Sequence, residues 1–183
     1  MQTQVRSDVR GFSLTELMLT VAVAATLAAI AVPALNAMSD ATKLSNAAQA
    51  VERELQTARM RAVSNNTTLR LRTNCPAVGY YRIIELLGTS ADDALTRCSA
   101  STYPWPAPDT DLATMPNLDG PVRQMLNAAT VSDGWIEFRP DGTAWQVVSG
   151  TATAIATTVP LTVTRNGTSK TITVNSLGKV LLQ

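Results

Sequence analysis

The side chains that could support chemistry are few, and the most versatile of them is missing. None of the 183 residues is histidine, which is the commonest general base and a frequent metal ligand. Two carboxylate pairs, Asp92 with Asp93 and Asp109 with Asp111, lie in loop-like sequence, where we expect them to be solvated. The sequence therefore predicts no catalytic residues, no metal site and no cofactor, and an enzyme is the least favoured class.

One other carboxylate, Glu16, opens an apolar run from Leu17 to Leu35. As a helix rising about 1.5 Å per residue, this run would span roughly 28 Å, close to the roughly 30 Å of a bilayer's hydrocarbon core. Arg6 and Arg10 precede it, and basic flanks tend to stay cytoplasmic. We therefore expect one membrane span, with the rest of the chain on the far side of the membrane.

Three ordinary explanations of this run compete with a specialised one. A secretory signal peptide also has a charged start and an apolar core, but the core is shorter and Glu16 has no place in it. A simple membrane anchor explains the length of the run but neither Glu16 nor Gly11. A buried helix of a soluble core is disfavoured because the run is apolar on every face.

The specialised explanation is a resemblance to type IV prepilins, carried by Gly11, Phe12 and Glu16 and by Pro33 within the apolar helix. In that family a membrane peptidase cuts after the glycine and methylates the new N-terminal phenylalanine. The resemblance implies that residues 1–11 are a cleaved leader, that Gly11 and Phe12 are the processing site, and that Glu16 and Pro33 serve assembly. A glycine suits the tight site of a peptidase, and a proline loosens a helix by removing one N–H.

The same resemblance implies a charge pair and a set of partners. A carboxylate inside a bilayer is costly unless it is paired. In a filament, the partner of Glu16 would be the Phe12 amine of a neighbouring subunit. The implied partners are the prepilin peptidase, the inner membrane, and other minor and major pilins or pseudopilins. The implied location is the bacterial inner membrane with a periplasmic C-terminal domain, and after assembly a pilus or pseudopilus.

Beyond the apolar run, the helical pattern continues and then gives way to strands. From residue 36 to about Ser64, apolar residues recur every three or four positions, and Asn65-Asn66 should end the helix. Period-two alternation then predicts antiparallel strands, with Asn166-Gly167 as a type I′ hairpin turn. The predicted strands are 67–73, 79–87, 135–139, 144–148, 159–165, 169–174 and 179–182.

The predicted fold class is therefore α+β: a long N-terminal helix packed against a C-terminal antiparallel β-sheet domain. Its parts are the leader at residues 1–11, a transmembrane and assembly helix at 12–35, an amphipathic helix at 36–65, and a β-rich domain at 66–183.

Residues 88–133 are the least patterned part of the domain. Three prolines between residues 103 and 108 cannot run through a sheet. We expect Trp105 to cover the core, with a contact to a neighbouring subunit as the alternative. A short helical turn is predicted over residues 121–126.

Cys75 and Cys98 are the only two cysteines. An even pair in an exported domain favours a disulfide. The alternatives are two free thiols or a metal site, which two ligands without histidine would make poor.

Three segments narrow the resemblance to GspH/FimT-type minor pilins and pseudopilins. They are the motif Ile-Glu-Phe-Arg-Pro-Asp-Gly at 136–142, the helix end at 58–63 with the strand after it, and the C-terminal strand following 177–180. Members of that family lie at filament tips or prime assembly. The resemblance implies a minor pilin of a type IV pilus, at or near the tip and helping to initiate assembly, or the equivalent minor pseudopilin of type II secretion.

A third possibility is a DNA-binding minor pilin for DNA uptake. Some FimT-like members carry Gly-Arg-x-Arg near the C-terminus, where this chain has a single cation in residues 178–181. Alternation in the first strand places Leu69 and Leu71 toward the core and its arginines on the opposite face. Such arginines more often form a solvated face, and we expect weak DNA affinity or none. The candidate DNA contacts are Arg59, Arg61, Arg70, Arg72 and Lys179.

Overall fold

The structure is a computed structural model that describes residues 13–107 and 116–183. The chain divides into two compact units, Met1–Ser39 and Asp40–Gln183. In the first unit, the described residues form the N-terminal half of helix α1 (Leu14–Ser64), and every side chain from Ser13 to Ser39 is exposed. The second unit holds the remainder of α1 and the described β-strands.

The strands of the second unit form two antiparallel sheets. The six-stranded sheet has the order β3-β2-β1-β5-β6-β7, and the four-stranded sheet has the order β10-β9-β8-β4. The described strands are β1 (Leu69–Thr73), β2 (Tyr80–Glu85), β3 (Arg123–Gln124), β4 (Thr130–Val131), β5 (Trp135–Phe138), β6 (Ala144–Val148), β7 (Thr151–Ala154), β8 (Thr158–Arg165), β9 (Thr168–Asn175) and β10 (Val180–Leu182). Short 3₁₀ helices lie at Ser90–Asp93, Leu95–Cys98 and Leu126–Ala128.

One hydrophobic core joins the C-terminal half of α1 to both sheets. Its helical members recur every three or four residues, so a single stripe of the helix is buried. Several of them are alanines with no exposed surface, and these small side chains allow the strands to approach the helix axis. The buried residues of α1 are Leu44, Ala47, Ala48, Val51, Leu55, Ala58 and Ala62.

The ends of these elements follow from local chemistry. Helix α1 ends before Asn66, which adopts a positive φ of 52°, and the N–H of Thr67 returns to the carbonyl oxygen of Ala62 at 3.1 Å. The β8–β9 turn has positive φ at both Asn166 and Gly167, and Arg165 pairs directly with Thr168. This is the predicted type I′ hairpin.

The predicted α+β class is confirmed, whereas some predicted details were wrong. Residues 121–126 were expected to form a helical turn, but Arg123 and Gln124 pair with β2 as strand β3, and a 3₁₀ turn starts only at Leu126. Strand β7 was not predicted, because its alternation of threonine and alanine lacks the large apolar residues that mark a strand. Trp105 was expected to cover the core, but its side chain is 57% exposed.

Candidate assembly site and the charged sheet face

The N-terminal half of α1 presents an apolar surface on all sides. An 18-residue window of this helix has a mean hydropathy of 2.2 and no buried surface, so by length and composition it is able to cross a membrane. The hydroxyls of Thr20 and Thr26 donate to the carbonyl oxygens of Leu17 and Val23 within the helix. These two polar groups are thus satisfied without water.

Glu16 lies in the first turn of this helix. The N–H groups of Glu16 and Leu17 both donate to the carbonyl oxygen of Ser13, at 3.1 Å. The Glu16 side chain is exposed, and no residue of the described ranges pairs with its carboxylate. Pro33 lies inside α1, which continues through it. Gly11 and Phe12, the predicted processing site, lie outside the described residues, as do residues 1–10 of the predicted leader.

A second feature was not predicted: the outer face of the six-stranded sheet, opposite the core, carries buried charge. Residues 86–107, here called the strap, lie across this face. Arg82 of β2 has 1% exposed surface and donates to the carbonyl oxygens of Gly120 at 2.9 Å, Arg97 at 2.8 Å and Tyr103 at 2.6 Å. One guanidinium therefore joins the strand to both the strap and the neighbouring segment.

Arg97 of the strap is the centre of a buried ion-pair network. Its guanidinium donates to Asp119 at 2.7 Å, to Asp92 at 3.2 Å and to the carbonyl oxygen of Glu85 at 2.7 Å. Burial raises the pKa of Asp119, opposed by the N–H of Glu85 and the nearby guanidiniums. Asp92 was expected to be solvated, but it is 5% exposed and also accepts N–H groups from the strap's first turn. Asp109 and Asp111 lie outside the described residues.

Arg70 and Arg72 of β1 complete the charged face. Arg70 donates to Glu137 of β5 at 2.6 and 2.9 Å and also pairs with Asp93 of the strap. Arg72 donates to the carbonyl oxygen of Ala94 at 2.8 Å, and its Cζ lies 4.1 Å from the ring centroid of Trp135. Because buried charges are tolerated only when they are paired and hydrogen-bonded, this network fixes the strap in one position.

A disulfide adds a covalent tether to the same strap. Cys75 lies two residues beyond the end of β1, and Cys98 ends the second 3₁₀ helix of the strap. The structure joins the two sulfurs, with Cα atoms 5.1 Å apart, as the sequence predicted.

The proposed DNA-contact residues do not form one surface. Arg70 and Arg72 are 4% and 2% exposed, so the expectation that the second face of β1 is solvated was wrong, because the strap covers it. Arg61 is half-buried and donates to the carbonyl oxygen of Leu118 at 2.8 Å. Arg59 and Lys179 remain exposed.

The three segments that carried the narrower resemblance meet at Arg59. Its Nε donates to the carbonyl oxygen of Gly142 at 3.1 Å, and Gly178 packs against both. A Cβ at position 178 would lie 2.5 Å from that carbonyl oxygen, and φ there is 71°, so only glycine fits. The helix end, the β5–β6 turn and the turn before β10 are therefore held together by the Arg59 side chain and by a close backbone approach that requires glycine at position 178.

No other constellation in the described residues suggests catalysis. Across 13–107 and 116–183, no group of three histidine, cysteine or carboxylate side chains could hold a metal ion. The network of arginines and carboxylates serves to pack the strap on the sheet. In the sequence, the one sign of this network is that Arg82 and Glu137 are charged residues between apolar or aromatic neighbours in predicted strands.

Comparison with known proteins agrees with this description. Residues 47–178 match the family described as "Type II transport protein GspH", and residues 6–32 match the prokaryotic N-terminal methylation motif. The chain therefore belongs to the GspH family of minor pilins and pseudopilins, whose members are structural subunits rather than enzymes. No curated protein matches the sequence.

Two kinds of solved structure are similar in outline. One is the type IV minor pilin FimU from Pseudomonas aeruginosa, at 15% identity and a TM-score of 0.48 over 80% of this chain and 92% of that one. The other is the minor pseudopilin EpsH from the type 2 secretion system of Vibrio cholerae, at 12% identity and a TM-score of 0.45 over 77% of this chain and 96% of that one.

Proposed function

We propose that this chain is a minor subunit of a type IV pilus, incorporated at or near the filament tip, where it helps to initiate assembly. One observation supports this proposal most strongly. The same chain has an N-terminal methylation motif, an apolar helix able to cross a membrane, and a GspH-type domain. Before assembly the chain would be anchored in the inner membrane, with residues 1–11 removed and residues 66–183 in the periplasm.

Glu16 supplies the proposed assembly chemistry. An ionised side chain inside a bilayer costs up to about 2.5–3.5 kcal/mol on insertion scales, the value at the centre, and less near the end of a span, where Glu16 lies. Pairing with the amine of a processed Phe12 on a neighbouring subunit would recover much of this cost, so Glu16 favours a membrane-resident chain docking beside a processed one. The exposed position of Glu16 in the first turn of α1 leaves its carboxylate open to such a partner.

The choice of a pilus rests on the strap. A pilus extends into the medium, whereas a pseudopilus stays within the envelope. A domain whose longest irregular segment is tethered by a disulfide and by buried arginines suits exposure to shear and proteases outside the cell.

A minor pseudopilin of a type II secretion system is the second candidate, and the description of the matching family favours it. Deleting the gene distinguishes the two. The pilus proposal predicts fewer surface filaments with normal protein secretion, and the chain should be found in sheared filaments. Loss of secretion with normal piliation would establish the pseudopilus instead.

DNA binding is not proposed, because Arg70 and Arg72 are buried and pinned by the strap. Binding of the domain to duplex DNA at about 150 mM salt should be weak, with no steep dependence on salt. A micromolar affinity lost on reversing the charge of Arg59 and Lys179 would overturn this view.

A further inference from the structure

Each sheet ends in edge strands whose unpaired N–H and C=O groups can pair with another chain. Proteins usually protect such edges from pairing by keeping the strand short or by placing charged residues on it. The described residues form four such edges, and three of them are protected by short length or a nearby charge. Strand β3 has two residues, and its Arg123 pairs with Glu54 at 3.2 Å. Strand β4 also has two residues, and β10 has three and follows the exposed Lys179.

The fourth edge, β7, is longer than these three, and the described strand has no charged residue of its own. It is the outermost strand of the six-stranded sheet, pairing with β6 through four residues from Thr151 to Ala154. Thr151, Thr153 and Ala154 are exposed, and Ala152 is half-buried. Residues 149–158 contain no charged side chain and no proline. Because alternate residues of an antiparallel strand direct their main-chain groups to opposite sides, every second residue of β7 presents both an N–H and a C=O outward.

We propose that β7 is a docking edge, which accepts an extended segment of another filament subunit as a seventh, added strand. This inference rests on the proposed function and names the kind of contact made by the subunit. The main chain supplies the attraction, so the partner must offer an extended backbone. Because β7 and its flanks carry no charge, the partner segment should be uncharged as well, and β-branched residues opposite Thr151 and Thr153 would pair best.

The occupant is a different subunit rather than a second copy of this chain, because a minor subunit at the filament tip has other subunits as its neighbours and free copies would bind each other too weakly. A symmetric β7–β7 contact would bury only four small residues on each side, far less than the about 800 Å² per partner of a stable complex. A short added strand is sufficient only where the partners are already held side by side. Neighbouring subunits with helices in one membrane or filament meet this condition, because tethering raises their effective concentration.

The test uses the full chain, expressed in cells that assemble the filament. Amide hydrogen exchange of residues 151–154 is compared between the membrane-resident and the filament-incorporated protein. Alternate amides of β7 should exchange about ten-fold more slowly, or slower still, in the filament. A photo-crosslinking residue at position 153 should link to an uncharged segment of a different subunit.

Two matched variants distinguish the effect of a lysine on the β7 edge from the effect of a lysine elsewhere on the domain. Thr151→Lys places one lysine on the edge, where the side chain is exposed, so the domain should stay folded. Ser169→Lys adds a charge at an exposed position of the four-stranded sheet. The edge variant should enter filaments about ten-fold less, whereas Ser169→Lys should enter normally.

The outcomes separate this inference from the proposed function. If the wild-type chain enters filaments but its β7 amides stay unprotected, or the edge variant enters normally, the docking edge is wrong and the filament role stands. A crosslink between two copies of this chain would also overturn it. If the wild-type chain enters neither pili nor pseudopili, both conclusions fail.

Discussion

Replacing Arg82 by alanine should destabilise the domain of residues 40–183 by about 3–5 kcal/mol, the range for removing one partner of a buried ion pair, because its guanidinium lies 3.6 Å from the buried carboxylate of Asp119. The side chain has no exposed surface, and its loss would leave the carbonyl oxygens of Gly120, Arg97 and Tyr103 without their donor. Each buried acceptor left unsatisfied costs about 1–3 kcal/mol, so the three carbonyl oxygens together cost at least about 3 kcal/mol. Urea unfolding followed by circular dichroism measures it directly, since domains of this kind have about 5–15 kcal/mol in total.

Two further variants show whether the guanidinium geometry is responsible. Arg82→Lys keeps the charge but not the planar fork that reaches three carbonyl groups, so it should recover only part of the loss. Arg123→Ala is the matched control, because Arg123 is 47% exposed and pairs with Glu54 at the surface. Its removal should cost less than about 1 kcal/mol.

Limited proteolysis locates the effect. In the Arg82→Ala protein, cleavage should appear first within the strap, between the disulfide and residue 107, while the rest of the domain resists. The reasoning would be refuted if Arg82→Ala cost under about 1 kcal/mol, like the control, and left the strap uncut.

Three further predictions concern the N-terminal processing and assembly residues, the disulfide and Asp40. Gly11→Val should leave an uncut precursor, whereas Glu16→Val should be processed but scarce in sheared filaments. Immunoblots of the membrane and sheared-filament fractions measure both effects. Normal incorporation of Glu16→Val would exclude the amine pairing. Replacing Cys75 and Cys98 together by serine should cost roughly 3 kcal/mol of unfolding free energy, given their separation of 23 residues; two alkylatable thiols in the unreduced wild-type domain would contradict the bond itself. Hydrogen bonds from Arg165 and Asn166 lower the pKa of Asp40 in the folded protein. These bonds therefore stabilise the folded state above the usual aspartate pKa of about 3.9, and this stabilisation is lost as the pH falls through the lowered pKa of the folded state. Asp40→Asn should therefore reduce stability to urea at neutral pH and converge with wild type in acid; an equal difference at both pH values would argue against this contact.

The parts of the fold that sequence could predict are those set by local periodicity. The end of α1 at Ser64 and the Asn166-Gly167 hairpin follow from spacing and from residues that tolerate positive φ. Strand β1 shows the limit of such reasoning. Alternation correctly identified Leu69 and Leu71 as core residues, but alternation cannot tell whether the opposite face meets water or another segment.

The outer face of the six-stranded sheet is covered by the strap, a segment whose sequence has no helical or strand periodicity. The strap consists of short 3₁₀ turns, and its position is set by tertiary contacts. Arg72 and Arg82 of the sheet donate to its carbonyl oxygens, and its own Arg97 donates to the carbonyl oxygen of Glu85.

The measurement that tests the central claim most directly is the mass of the N-terminal peptide of the chain recovered from sheared filaments. A processed, assembled subunit predicts a peptide that begins at Phe12 and carries one additional methyl group on its amine. The same peptide should appear in the inner membrane beside a fraction of uncut precursor. Recovery of the chain in filaments with residues 1–11 still attached, or its complete absence from pili and pseudopili, would contradict the account.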